Sequence, residues 1–192
     1  MAWFECIGGS GGGPNPVTYK NYIKFNGEGI WLPISIDSDH KVEVVFNETS
    51  YNNDSSIIGN TQSAALIHLT AYSNKYYCSK GRSEGNFGSW SSGEHKFVCN
   101  NGNGHNEFDD VEVTEYTPTT DGQKYTLGSR GDSTGRNAYY GYIKSFKIYS
   151  IANGTLLHDL KPAVIFNQAC FLDDVTGQIY TNHTIEAVDT IT

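Results

Sequence analysis

The sequence predicts an all-β protein, an antiparallel two-sheet β-sandwich, on three observations. Apolar and polar residues alternate at period 2 in most segments, the pattern of strands that bury one face. Turn residues recur at short, regular intervals, as a sandwich of short strands requires. The composition, with 21 Gly and 13 Tyr against one Met and five Pro, favours turns and aromatic strands over helices. No long stretch carries helical periodicity, and 192 residues suit one domain.

Residues 1–7 carry Trp3, Phe4 and Ile7, and a Gly/Ser/Pro linker occupies 8–16. Seven residues cannot fold alone, so large aromatics there need a surface to bury against. The linker is longer than a local return of the chain needs. Residues 1–7 read as an attachment peptide that docks on another subunit, with folding back onto their own sandwich as the alternative, and 17–192 as the folded domain.

Strands are expected over Thr18–Phe25 and Ile30–Ile36, divided by Gly27-Glu28-Gly29. Pro33 assigns the second to a sheet edge or a bulge. In Lys41–Phe46, residues Val42, Val44 and Phe46 share one face. Further strands are expected at Ile57–Gly59, Ala64–Tyr72, Tyr76–Cys78, His95–Cys99, Glu107–Tyr116 and Gln123–Leu127, with Ser79–Gly93 and Asn100–Asn106 as loops.

Phe146 and Ile148 then alternate with Ser145, Lys147 and Tyr149, and Asn153-Gly154 supplies a type I′ hairpin signal. Asp173-Asp174-Val175-Thr176-Gly177 between two short apolar runs marks another hairpin. The segment from Gly141-Tyr142-Ile143-Lys144-Ser145-Phe146-Lys147-Ile148-Tyr149, through Asp159-Leu160-Lys161-Pro162-Ala163, to Phe171-Leu172-Asp173-Asp174-Val175-Thr176-Gly177-Gln178-Ile179-Tyr180 resembles the end of a known module. That module is the laminin-G-like, concanavalin A-like jelly roll of tailed-bacteriophage virion proteins. The resemblance is strong over 139–180, weaker over 18–138 and absent from 1–16. It implies a two-sheet jelly roll whose last hairpin closes the sheet edge, on a structural, tail or head-decoration protein.

A net charge of −8 argues against a nucleic-acid partner. No segment approaches the ~20 apolar residues of a membrane span. The first residues lack the basic and apolar regions of a secretory signal, which predicts synthesis in a cytoplasm; the resemblance implies that of a bacterial host. The four cysteines, at 6, 78, 99 and 170, have no metal spacing and read as reduced thiols, with a Cys78–Cys99 bridge as the alternative. The sequons at Asn47, Asn53, Asn153 and Asn182 are then idle. Arg130-Gly131-Asp132 is a short match in a glycine-rich loop and is set aside, and the six histidines share no metal spacing.

Glu107-Phe108-Asp109-Asp110-Val111-Glu112 matches E-x-D-x-x-E, the bulged catalytic strand of retaining glycoside hydrolases with a concanavalin A-like fold. Such chemistry needs two carboxyls ~5–5.5 Å apart, and a bulge would bring Glu107, Asp109 and Glu112 to one side. The residues before Glu107, Asn-Gly-Asn-Gly-His-Asn, lack the lead those enzymes show, so the expected function is non-enzymatic. Asp109 and Asp110, beside the carbonyl-rich Asn100–Asn106 loop, are the calcium candidates, since calcium takes oxygen ligands; no other cofactor is expected. Trp90, Tyr139 and Tyr140 are the glycan-binding candidates, because loop aromatics offer flat faces to sugar rings.

The expected protein is a phage virion surface component, a head decoration or tail-associated adhesin. It attaches to other virion proteins through its N-terminal peptide, assembles as a homo-oligomer and meets host-surface or environmental glycans. The alternatives are a small glycoside hydrolase using Glu107 and Glu112, and a bacterial carbohydrate-binding module.

Overall fold

A computed structural model describes residues 16–53, 55–59, 69–72, 74–78, 86–115, 123–129 and 138–192. In chain order the strands are β1 (Thr18–Tyr19), β2 (Tyr22–Lys24), β3 (Ile30–Ile36), β4 (His40–Glu48), β5 (Ser55–Gly59) and β6 (Leu69–Tyr72). Then come β7 (Lys75–Cys78), β8 (Asn86–Ser89), β9 (Gly93–Cys99), β10 (His105–Phe108), β11 (Val111–Glu115) and β12 (Gln123–Leu127). The last five are β13 (Tyr142–Ser150), β14 (Leu156–Ile165), β15 (Gln168–Asp173), β16 (Ile179–Tyr180) and β17 (Glu186–Val188). Among the described residues there is no helix.

Two antiparallel sheets result. The larger has the order β11-β10-β9-β4-β13-β14-β15-β16, with β1 on β14, and β2 between β13 and β17. The smaller has the order β3-β12-β5-β6-β7-β8. One apolar cluster joins them: Ile30, Leu32, Ile36, Ile57, Tyr125 and Leu127 of the smaller sheet pack with Val42, Val44, Phe46, Phe97, Ile143 and Phe146 of the larger. Alternation places these residues. Strand β3 reads buried-exposed throughout, so Ile30, Leu32, Ile34 and Ile36 go in and Trp31, Pro33 and Ser35 go out. Both settings that suit Pro33 are present: β3 is an edge strand, and its ladder with β12 shifts register between Leu32 and Ile36.

The segment 139–180 is the spine of the larger sheet. Strand β13 pairs with β4 along its length and with β14 on its other side, and β14 pairs with β15. The hairpin at Asp173–Gly177 forms as its turn residues require: Gly177 has φ +74 and donates its N–H to the Asp173 carbonyl at 2.7 Å.

Four expectations are corrected. Asn153-Gly154 does not form a type I′ turn, because only Gly154 has positive φ. The loop lengthens instead: the Ser150 N–H bonds the Thr155 carbonyl, and the Ile151 N–H reaches the Asp39 carbonyl in a neighbouring turn. Ser79–Gly93 contains a strand, β8, where pairing with β7 overrides a Gly/Ser composition. Thr18–Phe25 divides into β1 and β2, which pair with β14 and β13 respectively. Finally, Glu107–Tyr116 is not one strand but begins as the β10–β11 hairpin. Phe108 pairs with Val111 across Asp109-Asp110, whose φ values of +49 and +64 fit the type I′ pattern.

Candidate functional site

Val42, Val44, Phe46 and Glu48 lie on one face of β4, and that face is the core. The alternation that buries the first three also buries Glu48, which is 2% exposed. A lone buried carboxylate is costly unless hydrogen-bonded, and two donors converge on this one. Tyr76 Oη donates to Glu48 Oε2 at 2.7 Å, and Trp90 Nε1 donates to the same oxygen at 2.6 Å. Burial pushes the Glu48 carboxyl above its ordinary range, against the opposing pull of these two bonds.

Trp90 is thereby fixed in a loop that would otherwise leave its indole free. Its ring meets Tyr51 edge-on, with centroids 5.7 Å apart, and both rings are half-buried. Tyr51 is held in turn: its hydroxyl donates to Asn53 Oδ1 at 2.6 Å and accepts from the Asn74 N–H at 2.7 Å. The Trp90 N–H bonds the Asn74 carbonyl at 2.9 Å. An aromatic pair bordered by Asn53, Asn74 and Ser91 therefore sits at one end of the two sheets. Its polar neighbours come from three separate segments.

Behind it, His95 is buried among Phe46, Tyr76 and Phe108, with Phe108 stacked on it at 5.1 Å. His95 Nδ1 pairs with Asp109 Oδ2 at 2.8 Å, and Ser91 Oγ lies 3.3 Å from His95 Nε2. The order Ser91, His95, Asp109 has the outline of a nucleophilic triad. However, Nε2 also lies 3.0 Å from the Ser91 carbonyl oxygen. The nitrogen that would have to accept the serine proton faces an acceptor, so the arrangement is a clamp on the Trp90–Ser91 loop.

The acidic motif is brought together only in part. Glu107 and Glu112 are cross-strand partners at an irregularity in the β10–β11 ladder, and Asn101 Nδ2 donates to both, at 2.7 and 3.2 Å. Asp109 does not join them. It lies in the turn, with Oδ1 accepting the Lys96 N–H at 2.9 Å and Oδ2 held by His95. Phe108 and Val111, three residues apart, pair across the hairpin turn, so the bulge expected to gather the three acids within one strand is not what joins them. As calcium ligands, Asp109 and Asp110 are already engaged, since Asp110 accepts from Lys96 Nζ at 2.6 Å.

Another group that could hold a metal is Asp37, Asp39 and His40, whose ligand atoms lie within 4.8 Å of one another. Its chemistry fits poorly: His40 Nδ1 accepts the Asp37 N–H at 3.1 Å, which leaves the ring proton on Nε2, facing Asp39 at 3.6 Å.

Of the glycan candidates, Trp90 has a fixed and partly open ring. Tyr140 is 53% exposed and packs over Gly27, where an added Cβ would meet its hydroxyl at 2.6 Å. Tyr139 is corrected: it is fully buried, with its hydroxyl donating to the Asn47 carbonyl at 3.1 Å, and burial raises its phenol well above the ordinary value. It is a core residue. Trp3, Phe4 and Ile7 lie outside the described residues, as do Arg130-Gly131-Asp132. Cys99 and Cys170 are buried thiols, so the Cys78–Cys99 bridge is not formed.

Sequence reasoning missed Tyr51, Glu48 and His95 as members of this cluster. The parity of β4 and β9 was the available signal, since it puts a carboxylate and an imidazole on core faces. No protein-family model matches the chain, and no curated protein matches it in sequence.

Proposed function

We propose that this chain is a non-enzymatic surface protein of a tailed-phage virion, a concanavalin A-like jelly roll that holds glycans and attaches through residues 1–7. The observation that carries the binding half is the Trp90–Tyr51 pair, fixed from behind by buried Glu48. An indole held this way loses little conformational entropy when a sugar ring stacks on it. Asn53, Asn74 and Ser91 at its border supply the hydrogen-bonding groups that sugar hydroxyls need. The virion half is supported by the motifs of 139–180, which make up the spine of the larger sheet, and by the anchor-and-linker layout of 1–16.

The test is a glycan array, and binding to host-cell polysaccharide, with the wild-type chain and Trp90→Ala. The expected result is retention by the wild type and a loss of at least tenfold, ~1.4 kcal/mol, in the variant. Equal retention by both chains would overturn the platform. Mass spectrometry of purified particles tests the virion assignment separately.

A second reading is favoured by one observation, the convergence of Glu107 and Glu112 on the Asn101 amide. Like charges facing each other across a ladder cost stability, so their pairing suits a glycosidase pair. Turnover of a β-glucan panel that disappears in both Glu107→Gln and Glu112→Gln would establish it. We expect no turnover.

A further inference from the structure

The larger sheet's outer face, away from the core, is mostly charged, with Lys41, Glu43, Lys147 and Asp159 along its middle strands. One corner differs. On β14 and β15, Leu160, Phe171 and Ala169 point into the core, so by alternation Ala163, Ile165, Cys170 and Leu172 lie on the opposite face. These four form an apolar cluster of their own, separate from the main core.

Its rim is open. Strand β1 pairs Tyr19 with Ala163, and the same register brings Val17 beside Ile165. Val17 is 43% exposed and Tyr19 52%. The β14–β15 turn closes the corner with Phe166-Asn167, at φ +52 and +62. A bulky aromatic in the left-handed region is a strained choice where Asn or Gly would fit freely. Phe166 is nevertheless 64% exposed, so burial within this chain does not compensate it.

We infer that this corner is a docking surface, and that its occupant is residues Trp3–Ile7 of a second copy of this chain. The inference rests on the reading of residues 1–7 as an attachment peptide. The two halves match in chemistry: Trp3, Phe4 and Ile7 are apolar side chains needing a surface, and Val17, Tyr19 and Phe166 are an exposed apolar rim around a cluster that is itself buried. They also match in position, because the linker 8–16 leads directly into Val17 at the corner's edge. Its nine residues span up to about 30 Å, enough to carry the peptide across to a neighbouring molecule. Each copy then gives a peptide and receives one, either head-to-tail in a closed ring or reciprocally in a twofold pair.

The experiment uses the full chain and measures mass by sedimentation and light scattering, on the wild type, Phe166→Asn and the double variant Trp3→Ala/Phe4→Ala. Asn accepts positive φ, so Phe166→Asn keeps the turn, and its circular dichroism and melting temperature confirm the fold; Val17→Ser is the second variant at the corner. The wild type should be an oligomer of fixed stoichiometry, and each variant should dissociate at least tenfold more readily. Mixing the two variants should restore a one-to-one complex, because one keeps the seat and the other keeps the peptide. A monomeric wild type, variants of unchanged mass, or a mixture that fails to pair each overturns the inference. Trp90→Ala should keep the wild-type mass, so a failed glycan site and a failed docking site are told apart.

Discussion

Two aspartates in this protein make the same clamp in different surroundings. Asp173 pairs through Oδ2 with His158 Nδ1 at 2.7 Å and through Oδ1 with the next residue's N–H, that of Asp159, at 2.9 Å. Asp109 does likewise with His95 Nδ1 at 2.8 Å and the Lys96 N–H at 2.9 Å. In each case the carboxylate sits at a turn and grips two consecutive residues of another strand. Asp173, however, is fully buried and also accepts from the Val175 N–H and Thr176 Oγ1, at 3.1 and 2.6 Å. The Asp109 side chain is 46% exposed, and its burden of burial falls on the histidine, 8% exposed.

The difference lies in what remains after the carboxylate is removed. At the closing hairpin four donors lose a shared partner at once, and one of them, the Asp159 N–H, loses it in the interior where water cannot replace it. At the β10–β11 turn, water reaches the vacated positions. The same geometry therefore staples the fold in one place and positions a loop beside the candidate site in the other.

Asp173→Ala should give the largest effect, a loss of about 2–4 kcal/mol, because four hydrogen bonds go together and the buried Asp159 N–H is left unpaired. Chemical denaturation should show it, with hydrogen exchange rising first along β14–β16; a loss no larger than at Asp109 would end the distinction. Asp109→Ala should cost less, about 1–2 kcal/mol. Its more telling readout is weakened glycan retention through a loosened Trp90–Ser91 loop.

The pH dependence sharpens the comparison. Burial alone would raise the Asp173 carboxyl, but the bonds from Thr176, Asp159, His158 and Val175 outweigh it and hold it below its ordinary 3.8. A depressed carboxyl stabilises the fold fully above its unfolded value, and that contribution is lost as pH falls below about 3.8 through the folded value. Glu48 has the opposite sign: its carboxyl is raised, so its contribution is present below the ordinary 4.5 and is lost as pH rises above it. Melting temperatures across acid pH should show the Asp173 decline in the wild type, and Asp173→Asn should remove it. Glu48→Gln should remove the opposing slope and leave the Asp173 decline in place.

Phe166→Asn should give the smallest change, a gain of about 1 kcal/mol in the fold's own stability, from relief of positive φ at a bulky residue. Asp109 and Asp110 occupy the equivalent turn, but short polar side chains tolerate that region, so Asn at either should change stability little through φ. If Phe166→Asn destabilises the chain, the tip is packed in a way its exposure does not indicate.

Period-2 alternation and turn chemistry by themselves determined the all-β class, the extent of β3, the restriction of Pro33 to an edge or a bulge, and the hairpin at Asp173–Gly177. Each is a local consequence of which residues can face a core or adopt a given φ. Parity also carried the burial of Glu48 and His95, although no neighbour in sequence says what satisfies them. That was decided only in three dimensions, when Tyr76 from a strand, Trp90 from a loop and Asp109 from a turn arrived to donate, stack and clamp. The E-x-D-x-x-E spacing shows the limit most plainly. A strand with a bulge and a two-residue hairpin share the same change of parity, and pairing between β10 and β11 chose the hairpin. Register between strands likewise decided that Ala163 and Cys170 face away from the core. A chain read in one dimension shows which residues alternate, whereas long-range pairing selects the face each set is given.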